Sequence, residues 1–154
     1  MKNLLFIILF MQIFTSCKIN QKNSVINVPL DNTKGTITVL SDKDKPDIIV
    51  YQTDKKYKNQ MYDNTNNNIF GRHVIKRPKI NDDLVSKEGK IVFKVCIDYT
   101  GEPTFIKVIN EKSTIKNKDA LIEGVKYLSK FKWQEIENKE LEQCGNYTVI
   151  IERD

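Results

Sequence analysis

The strongest constraint on the fold is a run of alternating hydrophobic residues in the C-terminal half of the chain. Between positions 90 and 98, every second residue is a large apolar one: Ile91, Phe93, Val95 and Ile97. This alternation predicts a β-strand with one buried face. Residues 99–102 follow as a turn in which Gly101 is free to take positive φ, and residues 104–110 are predicted as the returning strand of a hairpin.

A helix and a last strand complete the pattern. Apolar residues recur at helical spacing over residues 117–131, and Asn117 is a plausible N-cap. Gly124 lies on the apolar face, which indicates a close approach of the helix to a sheet. Residues 147–152 alternate again. The sequence therefore predicts an α+β domain of order β-β-α-β, with a three-stranded antiparallel sheet in the order 2-1-3 and one covering helix.

Two of the three cysteines lie within this predicted domain. Cys96 is near the end of the first strand and Cys144 lies just before the third. Those ends meet in antiparallel neighbours, so we expect a disulfide on the uncovered face; the alternative is two separate small buried side chains. Closing a loop of about 48 residues would stabilise the fold by roughly 4 kcal/mol. An exported protein is found where such a bond persists.

Cys17 stands in a different context, directly after an apolar N-terminal run. Residues 4–14 are too short to cross a bilayer, which takes about 20 apolar residues, so residues 1–16 are predicted as a signal peptide. The ending Phe14-Thr15-Ser16-Cys17 resembles the lipobox of bacterial lipoproteins. That resemblance implies lipid attachment at Cys17, with acyl chains such as palmitate. The alternative is an ordinary secretory signal followed by a chance cysteine.

The middle of the chain has few large apolar residues and no clear period. Residues 17–73 are therefore predicted as the lipid anchor followed by a flexible polar linker, with residues 74–154 as the folded domain. Two β-like runs, 35–40 and 47–51, would either form a small hairpin or add to that domain. The absence of an acidic residue between Cys17 and Asp31 favours the outer membrane of the cell envelope over the inner one.

The C-terminal half resembles the TonB C-terminal domain over about residues 74–152. The positions that carry the resemblance are Arg77-Pro78, Gly89 to Asp98, Thr100-Gly101, Val108, Ser113, Asp119 to Leu121, Phe131 and Gly145 to Ile150. The resemblance implies that the last strand captures a peptide from an envelope or outer-membrane protein by strand addition. The strand residues that would bind it are Tyr147, Thr148, Val149, Ile150 and Ile151.

The chain also departs from the energy transducers of that family. A cleavable signal stands in place of their membrane helix, and four scattered prolines stand in place of their Pro-rich spacer. Lys132-Trp133-Gln134 occupies the place where the family carries a proline. We therefore expect a lipid-anchored envelope protein that binds a protein or peptide, linked to outer-membrane transport, without a motor of its own. The alternative is a structural or accessory envelope lipoprotein without a peptide ligand.

Other functional classes find little support in the sequence. Ser113 to Lys116 matches S-x-x-K by its letters, but the other elements of that chemistry are absent, so neither an enzyme nor catalytic residues are expected. His73, the only histidine, has no evident catalytic partner. No Cys/His cluster has metal-ligand spacing, and neither a metal nor a cofactor is expected. The net charge of +5 is spread along the chain without a basic helix, which argues against a nucleic-acid partner.

Overall fold

The computed structural model describes residues 24–28, 30, 34–67, 69–81, 84 and 88–152. The signal peptide predicted for residues 1–16 and the lipid site at Cys17 lie outside these residues. Nine strands are described: β1 (Ser24–Val28), β2 (Gly35–Asp42), β3 (Lys45–Thr53), β4 (Asn59–Asn66), β5 (Val74–Lys76), β6 (Gly89–Ile97), β7 (Pro103–Val108), β8 (Lys132–Trp133) and β9 (Leu141–Ile151). A short 3-10 helix (Asn110–Lys112) and helix α1 (Lys118–Ser129) lie between β7 and β8. Within this described part, no helix has the length and apolar character needed to cross a membrane.

The predicted three-stranded antiparallel sheet is wrong. The structure contains a seven-stranded sheet in the order β1-β2-β3-β7-β6-β9-β4, and β5 pairs with β8 in a separate two-stranded sheet. The large sheet is mixed, because β4 runs parallel to β9 while its other pairs are antiparallel. The fold is thus mostly β, with one α-helix among the described residues. The three strands expected from the sequence correspond to β6, β7 and β9, which are neighbours within the larger sheet.

The N-terminal half joins this sheet, which corrects the prediction of a flexible linker before residue 74. The runs at 35–40 and 47–51 lie within β2 and β3, and β3 continues the sheet by pairing with β7, Tyr51 opposite Ile106. Strands β2 and β3 bury a few apolar side chains each, among them Ile37, Val39 and Ile49. Such small apolar faces are stable here because the central strands supply the rest of the core.

Helix α1 covers one face of the sheet. Its N-cap is Asn117, whose side-chain oxygen accepts a hydrogen bond from the Ala120 N–H at 3.0 Å. A Cβ atom at Gly124 would lie 3.0 Å from Cζ of Phe93, so the glycine lets the helix pack directly on β6. Full burial of a side chain such as Phe93 or Leu128 contributes about 1.5–3 kcal/mol each. The core therefore lies between α1 and the centre of the sheet.

Candidate functional site

The C-terminal half of β9 is an outer edge of the large sheet. On its inner side, β9 pairs with β6 along most of its length, from Gln143 to Ile151. On its outer side, β4 pairs only from Leu141 to Asn146. Residues 147–151, which the sequence predicted as the peptide-binding edge, therefore extend beyond β4 and have no neighbouring strand on that side among the described residues.

The backbone groups that face outward can be assigned from the hydrogen-bond pattern. The N–H of Thr148 donates to Oδ1 of Asn67 at 2.5 Å, so the backbone of Thr148 points away from β6. In an antiparallel pair this direction alternates, which turns the backbone of Ile150 outward as well. The Ile150 side chain is 61% exposed, whereas Tyr147 and Val149 are buried. The accessible part of the edge is therefore centred on Ile150.

Side-chain hydrogen bonds determine where β4 ends. The Tyr62 hydroxyl donates to Oδ1 of Asn146 at 2.9 Å, which holds the strand against β9. The carboxylate of Asp63 then accepts the backbone N–H groups of Thr65 and Phe70 at 2.9 and 2.8 Å. These backbone hydrogen bonds lower the pKa of Asp63. The chain turns away after β4 through Asn67, whose φ is 60°, and no strand of the described residues continues along the rest of β9.

A disulfide lies on the face of the sheet opposite α1. Cys96 and Cys144 are directly opposed on β6 and β9, and their sulfur atoms are bonded at 2.12 Å, which is the pairing expected from the sequence. Glu142 lies beside them and accepts hydrogen bonds from the Gln60 side chain and the Thr104 hydroxyl. Its carboxylate and the two sulfur atoms lie within 4.8 Å of one another. Metal ligation requires thiolates, so this trio cannot hold a metal while the disulfide is intact.

A buried carboxylate organises the turn that joins β6 and β7. Asp98 is fully buried and accepts hydrogen bonds from Lys55 Nζ at 2.6 Å, the Thr100 hydroxyl at 2.6 Å and the Glu102 N–H at 2.9 Å. Burial opposes its charge, but the hydrogen bonds outweigh burial and lower the pKa of Asp98. The Tyr57 hydroxyl also donates to this carboxylate, and burial together with the Asp98 charge raises the pKa of Tyr57 to about 12.

Arg72 connects this turn to β9. Its guanidinium donates to the carbonyl oxygens of Gln134 at 2.6 Å and Asp98 at 2.8 Å, and to the side chain of Gln143 at 3.2 Å. Burial lowers the pKa of Arg72. Arg72 could not be recognised from the sequence, because its partners are mainly backbone carbonyl groups, which every residue carries. Asp98 did carry a signal, since an aspartate before a glycine-containing turn commonly hydrogen-bonds the backbone that follows it.

The S-x-x-K match has a structural explanation. The Ser113 hydroxyl accepts the N–H of Val92 at 2.9 Å and donates to the carbonyl oxygen of Ile109 at 2.9 Å. Lys116 donates instead to the carbonyl oxygen of Asn110. Ser113 thus fastens β6 to the segment after β7, and the lysine is engaged elsewhere.

No family model matches the chain, and neither curated proteins nor solved structures provide a match. The resemblance to the TonB C-terminal domain stays a prediction, and the geometry of β9 and its neighbours is the basis for a proposed function.

Proposed function

We propose that this protein is a lipid-anchored protein of a bacterial cell envelope that binds a protein or peptide by strand addition at β9. The observation that carries the proposal is the edge of residues 147–151, which extends beyond β4. A strand edge that lacks a neighbour offers backbone N–H and C=O groups to an incoming strand.

The length of this edge limits the ligand. Since β4 occupies the outer side of β9 as far as Asn146 and the Thr148 N–H already donates to Asn67, a bound segment would lie within residues 147–151 and be centred on Ile150. Ile150 presents an exposed apolar side chain, and Lys90, which is also exposed, lies directly opposite it on β6. An extended segment that carries an apolar residue beside an acidic one would complement this pair.

The envelope location is proposed from the lipobox-like sequence at Cys17, with the outer membrane favoured over the inner. Such an anchor would confine the binding domain to a membrane surface, where the partner would be an envelope or outer-membrane protein. Lipid attachment stabilises membrane association only when more than one acyl chain is present, as in bacterial lipoproteins.

The replacement Ile150→Pro tests strand addition. It removes an outward-facing N–H that is not used by β6, so the sheet should tolerate it as edge strands tolerate proline. Ile150→Ala is the matched control, because it shortens the side chain but keeps the N–H. In pull-downs from solubilised membranes, we expect proteins captured by the wild type and by the alanine variant to be lost from the proline variant, with the thermal unfolding of each variant measured alongside.

Identical partners for the wild type and a folded Ile150→Pro variant would contradict strand addition. The protein would then be better described as a structural or accessory envelope lipoprotein without a peptide ligand. Envelope fragility on deletion, without a defect in nutrient uptake, would support that alternative.

A further inference from the structure

A cleft of about 640 Å³ opens where α1 ends, away from the edge of β9. It is bounded by the start of β2, the end of β3, the segment after β5 and the turn before β7. Its lining includes five lysines and one glutamate, namely Lys34, Lys55, Lys76, Lys130, Lys132 and Glu102. This composition is far more basic than that of the chain as a whole.

The charges in this cleft do not balance. Among the residues that the structure describes, three carboxylates lie within 4.0 Å of the five lysines, namely those of Glu102, Asp98 and Glu135, which leaves two positive charges in excess within that set. Lys76 and Lys130 form no ion pair with any residue that the structure describes. Uncompensated ammonium groups around a concave surface attract anions, because the low-dielectric walls concentrate their field.

A buried hydroxyl in the same cleft is without a hydrogen-bond partner. Thr53 is 7% exposed and lines the cleft, and its Oγ1 atom is bonded to no residue in the described part of the chain. Buried hydroxyl groups are nearly always hydrogen-bonded, because an unpaired one has lost its hydrogen bonds to water without gaining a partner in the protein. The excess of positive charge and the unpaired hydroxyl are independent features, and both would be satisfied by an acceptor oxygen.

The remaining walls are apolar. Phe131 and Pro103 are buried and line the cleft together with Pro78 and the ring of Tyr51. Burial, reinforced by the nearby charge of Glu102, raises the pKa of Tyr51, so this ring is uncharged at neutral pH. Apolar walls beside cationic side chains suit a ligand that combines an apolar group with a negative charge.

We propose that this cleft binds a small organic anion in which a carboxylate or phosphate is attached to an apolar group. The acidic group lies against Thr53 and the lysines, whose positive charges outweigh the partial negative charge at the C-terminus of α1. The apolar group packs on Phe131 and the two prolines. The site is separate from β9 and does not depend on strand addition there.

The chain contains its own reporter for binding. Trp133 is the single tryptophan, is fully buried, and has its ring centroid 5.5 Å from that of Phe131. Occupation of the cleft should therefore change its fluorescence, and calorimetry provides a second measure of the dissociation constant. The probes for the purified full chain are decanoate and dihexanoyl phosphatidic acid. Comparing them shows whether the cleft prefers a carboxylate or a phosphate as the acidic group of its ligand. Inorganic phosphate and decyltrimethylammonium are the controls for charge alone and for an apolar cation.

Two sets of variants complete the test. We expect the double variant Lys76→Met/Lys130→Met to bind the better probe roughly tenfold more weakly than the wild type does. The control is Lys107→Met/Lys139→Met, which removes two exposed lysines outside the cleft and should leave the dissociation constant unchanged. Thr53→Val should weaken binding about fivefold while leaving the unliganded protein at least as stable, because it removes an unpaired buried hydroxyl. Saturable binding of either probe with these losses supports the proposal.

The proposal is overturned if neither probe binds saturably, or if inorganic phosphate or decyltrimethylammonium binds as tightly as the two probes do. It is equally overturned if the cleft variants and the Lys107→Met/Lys139→Met control behave alike.

Discussion

At the scale of single residues, Asp98 stands out as a buried charge that the surrounding fold must stabilise with hydrogen bonds. It is a fully buried carboxylate with three strong donors around it, and those donors come from two distant parts of the chain. Lys55 follows β3, Thr100 belongs to the turn after β6, and Glu102 contributes its backbone N–H just before β7. The charge of one side chain thus links the β3 end of the sheet to the central hairpin.

The replacement Asp98→Asn should therefore destabilise the protein in a pH-dependent way. The folded pKa of Asp98 is lower than its unfolded value, so its charge contributes stability that is fully present above the unfolded pKa, about 3.9, and is lost as the pH falls through the folded pKa. We expect the variant to lose about 2 kcal/mol of unfolding free energy at pH 7. Urea denaturation from pH 7 to pH 2 should show this difference shrinking below about pH 4.

Asp44→Asn is the matched control for this prediction. Asp44 is exposed in the turn between β2 and β3, so its replacement changes the net charge equally without disturbing a buried network. If Asp98→Asn were no less stable than Asp44→Asn at pH 7, the organising role of the buried carboxylate would be refuted.

At the scale of secondary-structure elements, the central hairpin, α1 and β9 could be read from the sequence because each has a strong period. The strands of the N-terminal half could not be predicted in this way. Strand β4 consists of the polar residues 59–66 around a single methionine and tyrosine, has no alternation, and forms by parallel pairing with a strand some 80 residues later. Strands β2 and β3 were recognised as β-like runs, but each buries too little apolar surface to indicate which partner it would find.

The two candidate sites also differ in how far they could be predicted from the sequence. The edge at residues 147–151 lies where the last alternating run was found, whereas its limits are set by Asn67 and Asp63, for which no sequence signal exists. The lysine-lined cleft draws its residues from five separate segments, and no one of them is unusual in composition. Only the tertiary structure could bring them together.

The disulfide between β6 and β9 gives a prediction at this scale. It closes a sequence separation of 48 residues, for which the loss of chain entropy in the unfolded state corresponds to about 4 kcal/mol. We expect Cys96→Ala/Cys144→Ala to lower the unfolding free energy by about that amount, as measured by urea denaturation. Reductant should lower the stability of the wild type but leave the double variant unaffected.

Mass spectrometry provides the direct check on this bond. The purified protein should gain two hydrogens on reduction. Two thiols that react with an alkylating agent in the unreduced, denatured protein would show that the bond is not formed.

At the scale of the whole molecule, the sheet begins close to Cys17, the proposed site of the lipid. A linker reaching from Cys17 to residue 74 could extend roughly 200 Å. The first strand instead begins at Ser24, and the six residues between it and Cys17 allow a separation of no more than about 25 Å. A lipid on Cys17 would therefore hold the sheet at the membrane surface, and both the strand edge and the basic cleft would meet only ligands that lie at or close to that surface.

Confinement of the sheet to the membrane surface depends on the lipid, and metabolic labelling tests whether the lipid is present. Cells supplied with an alkyne-tagged palmitate should label the wild-type protein, and Cys17→Ser should abolish the label and release the protein from the membrane fraction, because no acyl chain then remains to hold it. The control is Cys96→Ser/Cys144→Ser, which removes the other two cysteines and should retain both label and membrane association. Labelling that survives in Cys17→Ser would place the lipid at another residue, and a wild-type protein without label would exclude it; in either case the proposed anchor at Cys17 would be refuted.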